Sequence, residues 1–305
     1  MIVTRLNGGL GNQLFQYSFG RYLATKHQTE LLLDARDYQN NPRHGLLLQH
    51  FDIDAQFVPN DLFDKLPNTA RGQSWRRMLW NMSPTRLRWI REKPYGFKPE
   101  WKLVGSHAYL DGYWQSERFF AEIMPKLRKQ LQLKTELSDT SKEIAAAMSG
   151  CRSVAIHIRR GDYITDASAA QIYLHLPLTY YQRCVEDWAS DHSGVRVFVF
   201  SNDIPWCRKN LRLRFPITWI DHTNADTAHE DLHLMQQAEC CITANSTLSW
   251  WGAWLGKRPG QMVYTPARWF HPGTLNDQEL ACDSWVQMPY QTIDEAWISP
   301  NSNAA

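Results

Sequence analysis

Two patterns of apolar residues alternate along the chain and predict an α/β protein. Residues 2–6, 154–158 and 195–200 are short apolar runs with the length and the β-branched content of buried strands. Residues 13–26 and 178–188 instead carry apolar side chains at helical spacing. Strands and helices that follow one another in this order are typical of a parallel sheet covered by helices.

The same patterns continue through the rest of the chain and divide it in two. We predict further strands at residues 30–34, 109–114, 217–220, 240–243 and 261–264, and further helices at residues 116–133, 231–238 and 247–255. Residues 58–105 are irregular, and residues 134–150 are polar. A boundary at residue 150 gives an N-terminal domain (1–150) and a C-terminal domain (151–305). We expect two Rossmann-like domains facing across a cleft, with ligands beyond the carboxyl ends of the strands.

Composition and charge narrow the classes of function. The 305 residues include 33 Lys and Arg against 31 Asp and Glu, a balance that argues against a general nucleic-acid binder. No apolar run approaches the ~18 residues of a membrane span, and residues 1–9 lack the pattern of a signal peptide, so we expect a cytoplasmic protein. The six cysteines lack zinc-ligand spacing and are expected to be reduced and structural. The 14 tryptophans suit either core packing or stacking on sugar rings.

Polar side chains follow the predicted strand at residues 154–158. This strand leads directly into Arg159, Arg160, Gly161 and Asp162. A guanidinium carries a fork of donors that matches phosphate oxygens, and its permanent charge can neutralise a diphosphate leaving group. An ion pair between Arg160 and Asp162 at an ordinary strand end is the alternative.

Two further strands of the C-terminal half also end in polar residues. Asn245, Ser246 and Thr247 precede a predicted helix, whose N-terminal N–H groups make an anion site. N-capping alone would explain one hydroxyl residue at that position. Asp203 follows residues 195–200 and could accept hydrogen bonds from a guanine base or a ribose, or it could cap a helix.

The glycine-rich loop at residues 8–13 leaves a rival interpretation open. A strand, this loop, a helix and Asp34 after the next strand resemble a dinucleotide-binding fingerprint, but Leu14 stands where that pattern needs Gly or Ala. The glycines still allow close approach of the backbone to a diphosphate. Asp52 and Asp54 have the D-x-D spacing of metal-dependent glycosyltransferases, without the long apolar strand expected before it.

Together these segments resemble the α-1,2-fucosyltransferases of glycosyltransferase family 11, and more loosely the wider superfamily of α-1,2-, α-1,6- and protein-O-fucosyltransferases. The matching pieces lie in the family's order and span most of the chain: Gly8-Gly9-Leu10-Gly11-Asn12-Gln13-Leu14-Phe15-Gln16-Tyr17, His157-Ile158-Arg159-Arg160-Gly161-Asp162-Tyr163, Ser201-Asn202-Asp203 and Asn245-Ser246-Thr247-Leu248-Ser249-Trp250-Trp251. We expect no N-terminal membrane anchor, which would resemble the bacterial members of the family.

This resemblance implies a GT-B-like fold and inverting transfer of L-fucose from GDP-β-L-fucose to the 2-hydroxyl of a terminal galactoside, with no required metal or other cofactor. The donor-binding residues that it implies are Gly11, Asn12, His157, Arg159, Arg160, Asp203, Asn245, Ser246 and Thr247. Arg159 is then the arginine on the β-phosphate. Asp162 is expected to be the general base because it lies beside Arg159. The sequence also leaves two other functions open, an NAD(P)-dependent oxidoreductase and a non-catalytic carbohydrate-binding protein.

Residues 71–102 suggest where the protein works. They carry nine Lys and Arg against two Glu, with tryptophans and aliphatic residues between them. Basic and aromatic residues together suit an anionic membrane surface, which predicts weak peripheral contact there. The expected acceptor is an oligosaccharide or a lipid-linked glycan in the synthesis of bacterial O-antigen or lipopolysaccharide. The alternative is that the tryptophans pack in the core and the arginines are merely solvated.

Overall fold

The computed structural model describes residues 1–39, 44–67 and 74–290, apart from the side chains of Ser74, Asp162 and Thr165. The chain forms two compact units, Met1–Lys134 and Thr135–Ala305. Within the described ranges, no helix has the length and apolarity that crossing a membrane requires.

The first unit is built on a parallel sheet. Its strands are β1 (Ile2–Arg5), β2 (Leu31–Asp34), β3 (Gln56–Phe57), β4 (Arg88–Arg91) and β5 (Ala108–Asp111). Its helices are α1 (Leu10–Lys26), α2 (Ser74–Asn81) and α3 (Met124–Gln130). In this part of the described chain the strand order is β3-β2-β1-β5-β4, and each of these pairings is parallel. β2 and β5 are buried throughout, as strands of a covered parallel sheet are.

The second unit repeats the architecture with a larger sheet. Its strands are β6 (Arg152–Ile158), β7 (Val195–Ser201), β8 (Ile217–Ile220), β9 (Cys240–Ile242), β10 (Met262–Pro266) and β11 (Val286–Met288). Its helices are α4 (Asp139–Ser149), α5 (Gly161–Thr165), α6 (Ala167–Ala170), α7 (Leu178–Ala189), α8 (Ile204–Asn210), α9 (Ala228–Gln237) and α10 (Thr247–Leu255). The strand order among the described residues is β11-β10-β9-β6-β7-β8, with parallel pairings.

Apolar side chains from both faces of this sheet form the core of the second unit. Alternate residues of β6, such as Val154 and Ile156, pack in one cluster with Tyr181 and Trp188 of α7. The tryptophans of α10, Trp250, Trp251 and Trp254, are each at most 1 % exposed, so these three serve core packing. Each of the six cysteines is a free thiol, as the sequence predicts.

The boundary between the units falls before α4, whereas the sequence places it after that helix, at residue 150. The hydroxyl of Ser138, the N-cap of α4, donates a hydrogen bond of 2.6 Å to Glu230 of α9, and Ser141 donates to the same carboxylate. These contacts attach α4 to the second unit. The polar stretch that ends in Gly150 therefore marks only the end of a helix.

Two other regions differ from the predicted elements. The single helix predicted at residues 116–133 is a 3-10 turn (Glu117–Phe119), a second turn (Ala121–Ile123) and α3, because Phe120 between the turns has a non-helical φ of −134°. Residues 58–105, which the sequence leaves irregular, contain α2 and β4. β4 lies at the edge of the first sheet, where apolar periodicity is weak.

Candidate functional site

The strand order of the second sheet creates a switch point around β6. The chain runs from β6 to β7 and β8 on one side, and then returns to β9 and β10 on the other side. Loops that leave the carboxyl ends of β6 and β9 therefore run in opposite directions, which opens a crevice where such sheets bind ligands. The turns that follow β6, β7 and β9 hold most of the predicted donor-binding residues.

The turns after β6 and β7 are joined through Asn202. Its side-chain oxygen accepts hydrogen bonds from the backbone N–H of Arg160 at 3.0 Å and of Gly161 at 3.2 Å. A Cβ at Gly161 would lie 2.7 Å from the Asn202 side-chain nitrogen, closer than real Cβ contacts. Glycine therefore allows the close approach of these two turns without displacing the Asn202 amide.

Arg160 is held in place by two partners on the neighbouring turn. Its guanidinium donates to the carboxylate of Asp203 at 3.3 Å and lies 4.4 Å from the ring centroid of Trp206. The other carboxylate oxygen of Asp203 accepts a hydrogen bond of 3.2 Å from the backbone N–H of Trp206 and caps α8. Asp203 therefore caps a helix, the alternative that the sequence left open, and in addition orients an arginine.

His157 lies in β6, and Arg159 directly follows the end of that strand. The Arg159 guanidinium carbon lies 5.8 Å from the ring centroid of Tyr163, which stacks on Tyr173 at 4.4 Å. The Tyr163 hydroxyl donates to the backbone oxygen of Asn245 at 2.8 Å. His157 is 4 % exposed inside β6, on the face opposite the cluster that contains Ile156 and Ile158. The aromatic stack gives Arg159 a rigid platform next to the end of β9.

Asn245 ties three loops together at this edge of the sheet. Its side-chain nitrogen donates to the backbone oxygens of Leu174 at 2.7 Å and Trp269 at 3.0 Å, and the residue is 1 % exposed. The loops concerned follow β6, β9 and β10. Both donors of the amide are used, so the structure gives Asn245 a supporting role; its predicted contact with the donor stays a prediction.

Ser246 and Thr247 stand at the start of α10, as predicted. Ser246 occupies the N-cap position with φ −138° and ψ 130°, but its hydroxyl makes no capping hydrogen bond to the helix. Ser249 instead fixes the turn. Its hydroxyl accepts a hydrogen bond of 3.2 Å from the backbone N–H of Ala244 and donates one of 3.2 Å to the backbone oxygen of Ser246. The N-terminal N–H groups of α10 give this end of the helix a partial positive charge.

Comparison with known proteins identifies the family. The profile of glycosyl transferase family 11 matches residues 99–287, a range that includes the turns after β6, β7 and β9. The chain belongs to glycosyl transferase family 11. The alpha-1,2-colitosyltransferase of Escherichia coli is 31 % identical to it, over 94 % of this chain and 99 % of the relative. The O-antigen biosynthesis glycosyltransferase WbnK of Escherichia coli is 27 % identical, over 93 % of this chain and 99 % of the relative.

Solved structures show the fold of this family 11 chain. The crystal structure of NodZ α-1,6-fucosyltransferase from Bradyrhizobium, soaked with GDP-fucose, superposes with a TM-score of 0.53 at 15 % identity. The superposition covers 83 % of this chain and 91 % of NodZ. The two parallel-sheet units therefore constitute a GT-B-like fold, as the sequence predicts.

The glycine-rich turn of the family 11 chain lies in the first unit, between β1 and α1. Gly8 has a φ of +77°, and a Cβ there would lie 2.5 Å from the Asn12 side-chain nitrogen. The Asn12 side-chain oxygen accepts from Gln115 at 2.9 Å, and Gly11 is buried in the first turn of α1. The turn is thus closely packed, and the donor contacts implied for Gly11 and Asn12 stay predictions.

The structure counts against the dinucleotide interpretation of this turn. Asp34, the carboxylate that would bind a ribose, is 2 % exposed. It accepts hydrogen bonds from Arg36 at 2.7 Å and from the Tyr109 hydroxyl at 2.7 Å. A carboxylate with these partners is not open to a ribose.

The carboxylate of Asp54, in the D-x-D segment, also has partners within the protein. It forms an ion pair with Arg21 and accepts a hydrogen bond from Gln130 at 3.2 Å. Among the residues that the structure describes, no group of three or more His, Cys, Asp or Glu is arranged to hold a metal ion.

The sequence did not predict a role for His175 and His271, two histidines at the same edge of the second sheet. The backbone N–H of His271 donates to Ile172 at 2.9 Å, and a bridge joins Tyr173 to Phe270, which brings the segments of His175 and His271 together. Burial lowers the pKa of His175, and repulsion from His271 and Arg160 lowers this pKa further. Neither histidine belongs to a recognisable motif, so no signal in the sequence pointed to them. The side chain of Asp162, the predicted general base, lies outside the described part of the chain.

Proposed function

We propose that the protein is a galactoside 2-α-L-fucosyltransferase. It transfers L-fucose from GDP-β-L-fucose to the 2-hydroxyl of a terminal galactoside, with inversion, in the synthesis of bacterial O-antigen or lipopolysaccharide. The observation that carries the proposal is the convergence of Arg159, Arg160 and the N-terminus of α10 at the switch point of the second sheet. Family membership, an α-1,2-specific relative and an O-antigen relative support it.

The charge at this edge suits the diphosphate of a GDP-sugar. Arg160 is oriented by Asp203 and Trp206, and we assign Arg159 to the β-phosphate. The N–H groups of α10 and the hydroxyls of Ser246 and Thr247 complete the phosphate site. His157 and Asp203, at the ends of β6 and β7, are the proposed nucleoside contacts.

The arrangement supports a direct displacement. The bond between the anomeric carbon and the β-phosphate oxygen breaks while the acceptor oxygen bonds to the opposite face of that carbon. The departing diphosphate keeps the electron pair, and fixed positive groups stabilise this charge without reorganisation. Because arginines and helix N–H groups supply that stabilisation, we expect the transfer to proceed without a divalent ion. Positioning of the acceptor hydroxyl lowers the entropic part of the barrier.

The proton of the acceptor hydroxyl needs a base. Asp162 remains our proposal because it lies in sequence beside the arginines. His175 is a second candidate, since burial lowers its pKa and so favours the neutral imidazole, the form that accepts a proton. A pH profile of kcat/KM for His175→Gln distinguishes the two, because only loss of the base removes the acidic limb of the profile.

Colitose is the second candidate for the transferred sugar. A relative covering almost the whole chain at 31 % identity is named an alpha-1,2-colitosyltransferase, and its name shares the 1,2 linkage with our proposal. The shared linkage favours the same acceptor position for either sugar.

A donor screen tests the proposal. The purified protein is given GDP-fucose, GDP-colitose and other GDP-hexoses with a terminal galactoside, GDP release is measured, and NMR identifies the linkage of the product. We expect an α-1,2-fucosylated galactoside. Transfer of colitose alone would favour the second candidate, and NAD(P) binding or glycan binding without consumption of any GDP-sugar would overturn both.

A further inference from the structure

Exposed apolar side chains cluster on one short helix of the first unit. Eight large apolar side chains are exposed in the described part of the chain, and four of them lie within residues 75–82. These four are Trp75, Met78, Leu79 and Met82, which are 60 %, 71 %, 57 % and 70 % exposed. We call them the apolar stripe.

The stripe occupies the outer face of α2 and continues into Met82, in the turn that directly follows the helix. At 100° per residue, positions 75, 78, 79 and 82 fall within one arc of about 100°. The opposite face is attached to β4: Trp80 donates to the Leu87 oxygen at 2.8 Å, and Asn81 exchanges two hydrogen bonds with the backbone of Trp89. Because the inner face is fixed, the stripe is held outward.

Exposed arginines lie on the same segment as the stripe. Arg76 is on α2 itself, and its guanidinium lies 5.2 Å from the ring centroid of Trp75. Arg86 and Arg88 are exposed in the segment that follows, where the Arg86 guanidinium lies 4.5 Å from the ring centroid of Trp80. Glu92, one of the two acidic residues in this segment, is 2 % exposed and accepts from the backbone N–H groups of Tyr113 and Trp114. Its charge is turned inward and does not offset the basic surface.

We propose that α2 docks the protein on an anionic lipid surface, with the apolar stripe in the acyl boundary and the exposed arginines of this segment on lipid phosphates. An apolar stripe with basic flanks is the pattern of helices that lie in a membrane interface. A nucleic acid would leave the stripe in water, since phosphates contact only the arginines. A second copy of the chain would set two arginine-bearing segments against each other. This inference is independent of which sugar the protein transfers.

Flotation with vesicles tests the docking surface. The full chain is mixed with vesicles containing phosphatidylglycerol, or phosphatidylcholine alone, at low and high salt. We expect flotation with the anionic vesicles at low salt and weaker flotation at high salt, because salt screens the arginines. A protein that stays in the soluble fraction at low salt overturns the proposal, as does equal binding to both kinds of vesicle.

Matched variants separate the two parts of the surface. Combined Trp75→Ser, Met78→Ser and Leu79→Gln should weaken binding at least tenfold, whereas Leu103→Gln, at a position 77 % exposed outside the stripe, should not. Arg76→Gln and Arg88→Gln should each weaken it about fivefold, and Lys209→Gln in the second unit should leave it unchanged. Circular dichroism and the melting temperature confirm that each variant is folded.

Two outcomes of these variants overturn the proposal. One is a triple variant that is folded and floats as well as the original protein. The other is a lipid-free dimer, seen by analytical ultracentrifugation, that the triple variant converts to a monomer without any change in flotation. The second outcome would show that another copy of the chain covers the stripe.

Discussion

The side-chain oxygen of Asn202 accepts a hydrogen bond of 3.0 Å from the backbone N–H of Arg160. Through this bond, and a second one from the Gly161 N–H, the turn after β7 fixes the backbone of the turn after β6 at Arg160 and Gly161. The proposed donor site therefore depends on Asn202, a residue to which no contact with the donor is assigned.

Gly161→Ala tests this dependence. The added Cβ would lie 2.7 Å from the Asn202 side-chain nitrogen and would push that amide away from the N–H groups of Arg160 and Gly161. We expect kcat/KM for transfer to fall about tenfold or more, since small misplacements at a reacting site are costly. Gly105→Ala is the control, because a Cβ there meets nothing within 4 Å. Wild-type kinetics for Gly161→Ala would contradict the role assigned to Asn202.

Arg159→Ala tests the phosphate assignment. The variant lacks one fixed positive charge that would stabilise the departing diphosphate, so kcat should fall by about 10²–10³-fold. Arg159→Lys should also be poor, because a point charge does not replace a bidentate fork. Arg152→Ala is the matched control and should leave kcat largely unchanged. Arg152 begins β6 at the opposite edge of the sheet and pairs with Glu239 at 2.6 Å. Activity of Arg159→Ala within tenfold of the original would refute the assignment.

Asn245→Ala should unfold more easily. It would leave the buried oxygen of Leu174 without its donor, whereas the Trp269 oxygen keeps the backbone N–H of Leu174 at 3.0 Å. We expect a cost of about 1–3 kcal/mol in the free energy of unfolding. Urea titration measures this difference. In Asn210→Ala the lost bond to the Trp206 oxygen is exposed, so a change below about 1 kcal/mol is expected. Equal stability of the two variants would show that Asn245 does not tie the loops together.

Chelation should leave most of the activity intact. The proposed site relies on arginines and helix N–H groups, and Asp54 is engaged by Arg21. Transfer rates measured with and without EDTA check this expectation. Complete loss of activity that manganese or magnesium restores would instead point to Asp52 and Asp54 as metal ligands.

Asp231 should make the free energy of unfolding fall as the pH rises. Desolvation raises the pKa of Asp231 from 3.8 to about 7, although its hydrogen bond from the Thr223 hydroxyl works the other way. The folded chain thus holds this proton more tightly than the unfolded chain, so the contribution to stability is full below pH 4 and is lost as the pH rises through 7.

Asp231→Asn isolates this contribution, because the amide oxygen can still accept from Thr223 and cannot ionise. Urea unfolding of the original protein and the variant should show a larger gain in the variant at pH 8 than at pH 5. The histidines with lowered pKa, His50, His175 and His233, are present in both proteins, so their effects cancel in the comparison. A gain that does not depend on pH would rule out the raised pKa.

The sequence predicted the interior better than the edges. The strands at residues 154–158, 195–200 and 240–243 were recognisable because both of their faces are buried and their apolar runs are continuous. β4 is an edge strand that begins with an exposed arginine, so no such run marks it. The continuous helix predicted at residues 116–133 was wrong. Phe119, Phe120 and Leu127 fall within one arc of about 100° on a helix, so the apolar pattern suggests one helix, but the φ of −134° at Phe120 interrupts it.

The residues of the candidate site likewise include some that a local sequence pattern marks and one that no such pattern marks. The positions of Arg159, Arg160 and Asp203 at strand ends were predictable, since a strand end followed by charge is a local signal; their contacts with the donor stay predictions. The clamp made by Asn245 was not, because its partners Leu174 and Trp269 are backbone oxygens of distant loops that no local pattern connects to it.

The place of β6 between β7 and β9 also has a consequence for the order of folding during synthesis. A nascent chain that ends before Cys240 leaves one edge of β6 without its partner, because β9 has not yet been synthesised. Unpaired edges of this kind invite wrong association, and non-local parallel pairing is slow. The strand that leads into Arg159 is therefore supported on both sides only late in translation, and the arginines reach their final positions after most of the chain has been made.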